Sequence, residues 1–301
     1  MARATIGYTG TMTAGQATVQ GRYRLGRTLG AGGMGRVWQA RDEVLERDVA
    51  VKEIILPDEM IEADRDALHR RTLREARATA RLAHHNVVRV YDVFEADGRA
   101  WIVMEYVPSR SLQQALDADG PLSPERAAQV GLEVLAALDA AHRAGVRHRD
   151  VKPANVLLGD DGRVVLTDFG IAAVDGESIG TSSGLVVGSP QYMAPERVRH
   201  GETEPSSDLW SLGATLYAAV EGRSPYARAS VMETVTAIAA DEPDPPQRAG
   251  ALRPVLDGLL CKDPAERIDI VEAEKRLRAA AHAPAAPRRR GRRWGRRAAP
   301  A

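Results

Sequence analysis

Two polar stretches hold the residues of this 301-residue chain best suited to chemistry. They are His148-Arg149-Asp150-Val151-Lys152-Pro153-Ala154-Asn155 and Asp168-Phe169-Gly170, with Asp150 and Asp168 eighteen positions apart. A carboxylate such as Asp150 can accept the proton of an attacking hydroxyl. Asn155 and Asp168 offer oxygen ligands of the kind a magnesium ion takes, and a cation held there neutralises charge on phosphates. Taken singly, either stretch reads equally well as a polar loop, because Asp and Asn are common in turns. Their order, and what precedes them, points instead to phosphoryl-transfer chemistry.

Upstream, Leu29-Gly30-Ala31-Gly32-Gly33-Met34-Gly35-Arg36-Val37 repeats glycine in a G-x-G-x-x-G-x-V pattern. Glycines let a backbone turn tightly and bring N–H groups to phosphate oxygens with no Cβ in the way. Alone, the pattern also fits a flexible turn or the start of a dinucleotide fold. A dinucleotide site needs a helix directly after the last glycine, whereas Arg36 to Arg41 alternates like a strand. Asp48-Val49-Ala50-Val51-Lys52 follows as a second β-prone run, closed by a lysine. A charged group ending an apolar run calls for a carboxylate. The helical stretch Arg65 to Leu82 supplies Glu75, expected as the ion-pair partner of Lys52. The alternatives are that Glu75 pairs at helical spacing with Arg71 or Thr79, or that Glu62 takes the role.

In this order and spacing the motifs resemble the eukaryotic-like protein kinase family, in its bacterial serine/threonine branch, over roughly Tyr23 to Ala280. The resemblance implies an α+β fold of two lobes, a small β-rich N-lobe (22–104) and a larger helical C-lobe (108–281), with a hinge at 105–107. It implies ATP in the cleft, with Leu29, Val37, Ala50, Met104 and Leu157 lining the adenine slot. Glu105 to Val107 would offer backbone groups to adenine, and Met104 stands at the gatekeeper position. By the same resemblance Lys52 grips the α- and β-phosphates, and Lys152 sits near the γ-phosphate, as in kinases of serine and threonine. Asn155 and Asp168 hold Mg²⁺, or Mn²⁺ in its place.

Gly188 to Glu196 resembles the close of an activation loop, with Ser189 keeping the hydroxyl of a frequent threonine. Glu196 would pair with Arg267, and Asp208 would brace the catalytic loop. Arg149 would meet a phosphate on that loop, where Thr181, Ser182 and Ser183 are the candidate acceptors. Where relatives often carry an acid for the ribose, Pro108-Ser109-Arg110-Ser111 offers hydroxyls and a base. The implied function is a protein serine/threonine kinase that autophosphorylates, with protein substrates and a homodimer for reaction in trans. The alternative is an ATP-binding scaffold without catalysis. Intact Lys52, Glu75, Asp150, Asn155 and Asp168 favour the enzyme, and Ala194-Pro195-Glu196 separates it from small-molecule phosphotransferases.

The remaining composition sets limits. Apolar residues make up 44% of the chain with only two Phe, so Leu, Val and Ala must fill the core. The single cysteine, Cys261, excludes an internal disulfide and is expected as a buried structural thiol. No apolar run approaches the ~18 residues of a membrane span. Residues 1–21 are polar and read as disordered. The net charge of zero hides an asymmetry. Seven arginines, Arg288, Arg289, Arg290, Arg292, Arg293, Arg296 and Arg297, stand in a Pro/Ala-rich tail (282–301), leaving 34 basic against 41 acidic residues elsewhere. Such a run is usually solvated. It also gives a weak contact with anionic membrane, hence a cytoplasmic protein peripheral to the inner face, with no specific nucleic acid partner.

Strands are expected at Tyr23–Leu29, Arg36–Ala40, Val49–Ile54, Val87–Phe94 and Trp101–Met104. Helices are expected at Ser111–Ala118, Pro124–Ala144, Ser207–Val220, Ser230–Ala240, Leu252–Cys261 and Ile270–Ala280.

Overall fold

The computed structural model describes residues 17–32, 35–55, 62–169, 190–201 and 204–283, with side chains from residue 65 in the third stretch. Its first half is a six-stranded antiparallel sheet. The strands are β1 (Thr18–Val19), β2 (Tyr23–Gly32), β3 (Gly35–Asp42), β4 (Arg47–Ile54), β5 (Val90–Ala96) and β6 (Arg99–Glu105). Hairpins join the first four in order. The chain then leaves through helix α1 (Glu62–Thr79) and returns at the far edge as β5, so that β6 lies beside β4.

Strand β4 is central, and both of its faces are covered. Val49 and Val51 pack with Tyr23, Leu25, Trp38, Trp101 and Val103 on one side. Ala50 and Ile54 pack with Ile102, Met104 and Val107 on the other. Successive strand residues face opposite ways, so Lys52 shares the face of Ala50 and Ile54.

The second half is helical. It contains β7 (Ser109–Ser111), α2 (Leu112–Asp119), α3 (Pro124–Arg143), β8 (Val156–Gly159), β9 (Val164–Leu166), α4 (Pro195–His200), α5 (Pro205–Glu221), α6 (Val231–Ala240), α7 (Arg253–Leu259) and α8 (Ile270–Ala281). Local chemistry sets several starts. The Ser111 hydroxyl accepts from the Gln114 N–H while Gln114 answers to the Ser111 N–H, a reciprocal cap. Ser123 caps α3 with Pro124 in the first turn. Helix α5 is buried around its circumference from Ser207 to Val220, as befits a helix at the centre of its lobe. The halves are joined where Val87 bridges Leu166 and the Val88 N–H donates to the Leu166 carbonyl at 3.0 Å. The architecture is the two-lobed α+β arrangement expected.

Several elements differ from expectation. Residues 18 and 19, assigned to a disordered segment, form β1, because Val19 buries in the sheet core beside Tyr23. Helix α1 begins and ends three residues early, since Leu82 turns into the lower core. Val87 and Val88 are not the start of β5; they pair with Leu166 instead. The helix expected at Leu252–Cys261 runs only from Arg253 to Leu259, after a 3₁₀ turn at Gly250–Leu252. Cys261 is half-buried, not buried.

One glycine of the loop has a packing role. Gly35 has φ of +139°, and a Cβ there would lie 1.8 Å from the Glu53 carbonyl oxygen. A Cβ at Gly30 or Gly32 would meet no heavy atom within 4 Å. Gly35→Ala is therefore expected to lower unfolding free energy by more than about 2 kcal/mol in urea titrations. Gly30→Ala should leave the urea midpoint nearly unchanged.

Candidate active site

The stretch His148–Asn155 runs from α3 into β8 and is held from below by Asp208, in the first turn of α5. Asp208 is 1% exposed. One carboxylate oxygen accepts from the His148 N–H at 2.9 Å and lies 2.8 Å from His142 Nε2; the other accepts from the Arg149 N–H at 2.7 Å. Burial pushes its pKa up. The His142 hydrogen bond and the neighbouring histidines outweigh that, leaving it below the usual carboxylate range. The brace inferred from the resemblance is thus formed. It also holds Arg149 at φ +68°, a conformation that costs a non-glycine residue about 1–2 kcal/mol.

The His148 ring is fully buried, 4.5 Å from the Phe169 ring. Its Nδ1 lies 3.2 Å from the Asp150 N–H, which donates to it, so the ring proton belongs on Nε2, 2.9 Å from the Thr167 carbonyl. Burial pushes the His148 pKa down, as this neutral form requires.

Asp150, Lys152 and Asn155 form one knot. Lys152 Nζ is 2.7 Å from Asp150 Oδ2. The Asn155 amide donates to the Asp150 carbonyl at 2.7 Å and to its Oδ2 at 3.0 Å. With its nitrogen so engaged, Asn155 has its oxygen left as an acceptor. A carboxylate and an amide oxygen suit a hard divalent cation that keeps waters and phosphate oxygens as its other ligands, and Asp168 and Asn155 offer that donor set.

The expected Lys52–Glu75 ion pair is not formed. Lys52 Nζ bonds Asp168 Oδ1 at 2.7 Å. Burial pushes Asp168 up, but the charge and hydrogen bond of Lys52 pull it below its ordinary value. Glu75 Oε1 instead accepts from Arg149 Nη1 at 2.5 Å and Arg71 Nε at 3.1 Å. Two guanidinium groups hold this carboxylate on the catalytic-loop side of α1, and the nearest acid for Lys52 is then Asp168. Pairing of Glu75 with Arg71 at helical spacing was the alternative legible in the sequence. Its pairing with Arg149 was not.

Ala50, Met104 and Val107 are buried in a single apolar cluster, with Leu29, Val37 and Leu157 packed against it. The expected slot residues therefore meet in one apolar cluster, Leu157 reaching it from β8. Glu105 closes β6, and its carboxylate accepts from Arg163 at 2.8 Å, tying the hinge to the turn before β9. No sequence signal marked Arg163. The same holds for Glu133, which accepts from Asn86 and the Val164 N–H at 3.0 Å each. The two hydroxyls after the hinge are committed, Ser109 to the Val107 carbonyl at 2.8 Å and Ser111 to its cap.

Glu196 and Arg267 form a buried bidentate pair at 2.8 and 3.0 Å, with Ser207 donating to Glu196 at 2.8 Å. Burial pushes Glu196 up, and Arg267 brings it below its ordinary value. Gly33, Met34, Thr181, Ser182, Ser183 and Ser189 lie outside the described residues.

A model of the protein kinase domain matches residues 23–277. The serine/threonine-protein kinase PknA of Mycobacterium tuberculosis (strain ATCC 25618 / H37Rv) is 41% identical over 259 residues, which cover 83% of this chain and 59% of PknA. PknB of Mycolicibacterium smegmatis is 39% identical over 259 residues, covering 82% of this chain and 40% of PknB. PrkC of Bacillus subtilis is 38% identical over 208 residues, covering 69% and 32%. The chain thus spans between 32% and 59% of the length of these relatives.

Two outcomes follow from the buried groups. Arg267→Ala strands the Glu196 charge and should cost about 3–5 kcal/mol, whereas Glu196→Gln combined with Arg267→Met should cost less; urea midpoints compare them. The depressed His148 pKa means that the unfolded chain binds a proton first on acidification. Stability should therefore fall as pH drops below about 6.5. The difference in urea midpoint between pH 7.0 and 5.5 should shrink in His148→Asn.

Proposed function

The chain belongs to the protein kinase family, and on that premise we propose that it is an ATP-dependent serine/threonine kinase acting on protein hydroxyls with Mg²⁺. The observation that carries this reading is the convergence of Lys52, Asp150, Lys152, Asn155 and Asp168. They come from three stretches of chain and are joined by the contacts Lys52–Asp168, Lys152–Asp150 and Asn155–Asp150. The apolar slot under β4 and β6 takes the adenine. Gly30 and Gly32, which packing leaves unconstrained, allow the backbone to approach phosphates closely.

The acceptor hydroxyl gives its proton to Asp150 as its oxygen bonds the γ-phosphorus. The bond to the β–γ bridging oxygen breaks, and that electron pair leaves with ADP. Lys152, beside Asp150, balances charge on the transferred group, and Lys52 balances the α- and β-phosphates. Asp168 and Asn155 would hold Mg²⁺, which when bound neutralises charge developing on the phosphate oxygens.

Lys52 and Arg149 are engaged elsewhere. Lys52 holds Asp168, and Arg149 holds Glu75. A phosphate on Thr181, Ser182 or Ser183 brings about −1.5 to −2 charge and competes with Glu75 for Arg149. Glu75 then turns to Lys52, and Asp168 is released to the metal. Transfer onto this segment occurs in trans between two copies. No described helix is long and apolar enough to cross a membrane; the seven arginines of 288–297 supply charge for a weak contact with an anionic lipid surface.

Labelled ATP with Mg²⁺ and a generic protein acceptor provides the test. Asp150→Asn should lower kcat by ~10²–10⁴, and Lys52→Ala should abolish transfer and also lower the urea midpoint, because it leaves the Asp168 carboxylate without its partner. Unchanged turnover in both would overturn the assignment. For the regulatory step, mass spectrometry after incubation with ATP should find phosphate on residues 181–183. The Thr181→Ala, Ser182→Ala, Ser183→Ala triple variant should lose activity several-fold. Full activity with no phosphate on the segment rejects the exchange.

A further inference from the structure

Away from the cleft, α5, the chain after α6, and α7 with the loop that follows it enclose a groove of about 440 Å³. Glu242, Asp244, Asp257, Asp263 and Glu266 line it against a single amine, Lys262. That amine is already used. It donates to the Ile238 carbonyl at 2.9 Å, at the end of α6, and lies 5.3 Å from the Tyr226 ring centre. Asp244 engages Arg223 and Arg228, and Asp257 engages Arg253. Glu242, Asp263 and Glu266 have no ion pair among the described residues.

A second, independent feature points the same way. Tyr217 is 1% exposed and lines this groove, and its hydroxyl has no hydrogen-bond partner among the described residues. The hydroxyl is not among the sealed polar atoms, so it is open to a donor entering the groove. A guanidinium ion suits both features. Its planar fork matches carboxylates, its N–H groups donate to a phenol oxygen, and it stacks on aromatic faces.

We propose that this groove is the docking site of the chain's own arginine-rich segment, residues 288–297. Charge complementarity is direct: seven arginines and no acid in the segment, and in the groove three carboxylates without an ion pair, of which Asp263 accepts from the Ala265 N–H. Reach is sufficient. Helix α8 runs back along α7, since the Ile268 N–H donates to the Gly258 carbonyl and Arg276 Nη1 donates to the Pro254 carbonyl. The tail therefore departs about 20 Å from the groove end of α7, at 1.5 Å per helical residue. From Ala283, an extended chain covers roughly 17 Å by Arg288 and 46 Å by Arg297. Tethering at this length gives effective concentrations on the order of millimolar, so individually weak ion pairs suffice, and they weaken with salt.

Cys261, the only cysteine of the chain, lines the groove and is half-buried, which makes it an internal probe. In the full chain carrying Gly291→Cys, mild oxidation at low salt should give an intramolecular disulfide between residues 261 and 291, mapped by mass spectrometry. Its rate should fall several-fold in 0.5 M NaCl. The same fall should appear at low salt when Glu242→Gln, Asp263→Asn and Glu266→Gln are added. A disulfide that forms equally fast in all three arms reports random tether collisions and overturns the proposal. Absence of the disulfide, or disulfides only between copies, overturns it as well.

Discussion

The buried carboxylate of Asp208 is the contact on which the catalytic region depends. It reaches out of α5 and accepts from the His148 and Arg149 N–H groups while lying against His142 of α3. A carboxylate out of water is unfavourable unless its lone pairs are satisfied, and here three donors from two elements meet that need. In return the loop is fixed to the two central helices of its lobe. Arg149 is kept in a left-handed conformation that it would not adopt alone, which sends its side chain toward α1 and leaves Asp150 free to meet Lys152 and Asn155.

Above this brace, cations and carboxylates share partners. Lys52, Arg71 and Arg149 approach one cleft, where Glu75 takes Arg71 and Arg149 and Asp168 takes Lys52. Buried charges are stable only in pairs, so the choice of partner for one sets the choice for the others. With Arg149 on Glu75, Lys52 goes to Asp168. A new anion near Arg149 would redistribute the whole set. The geometry links the partner of Arg149 to the partner of Lys52 through charge balance.

The scaffold around these charges is stiff for separate reasons. Strand β4 is clad on both faces, so Lys52 emerges from a strand that cannot shift without exposing Val49 and Val51. The lower lobe is organised around α5, which also anchors the Glu196–Arg267 pair through Ser207 and the Ser206 carbonyl. The single helix therefore holds both the catalytic loop and the start of α4.

Much of this was legible in the sequence. Motif order and spacing specified Asp150, Lys152, Asn155, Asp168 and Lys52, and strand alternation placed Lys52 on the slot face with Ala50. Cap residues such as Ser111 and Ser123 marked their helices because a cap is a local interaction, complete within a few residues. The bidentate Glu196–Arg267 pair and the Asp208 brace followed from the resemblance. The sequence could not say which cation Glu75 would hold, because Lys52, Arg71 and Arg149 all lie within reach of one helix face and only three-dimensional distances choose among them. Strand β1, the detour of Val87 and Val88 to Leu166, the Arg163–Glu105 tie and the half-burial of Cys261 were equally unmarked, since each depends on a neighbour far away in the chain. What the sequence by itself determined was the set of chemical groups and the local elements carrying them. The partner of each charge was decided only by the tertiary structure, because ion pairing depends on separation and burial, neither of which exists until the lobes have packed.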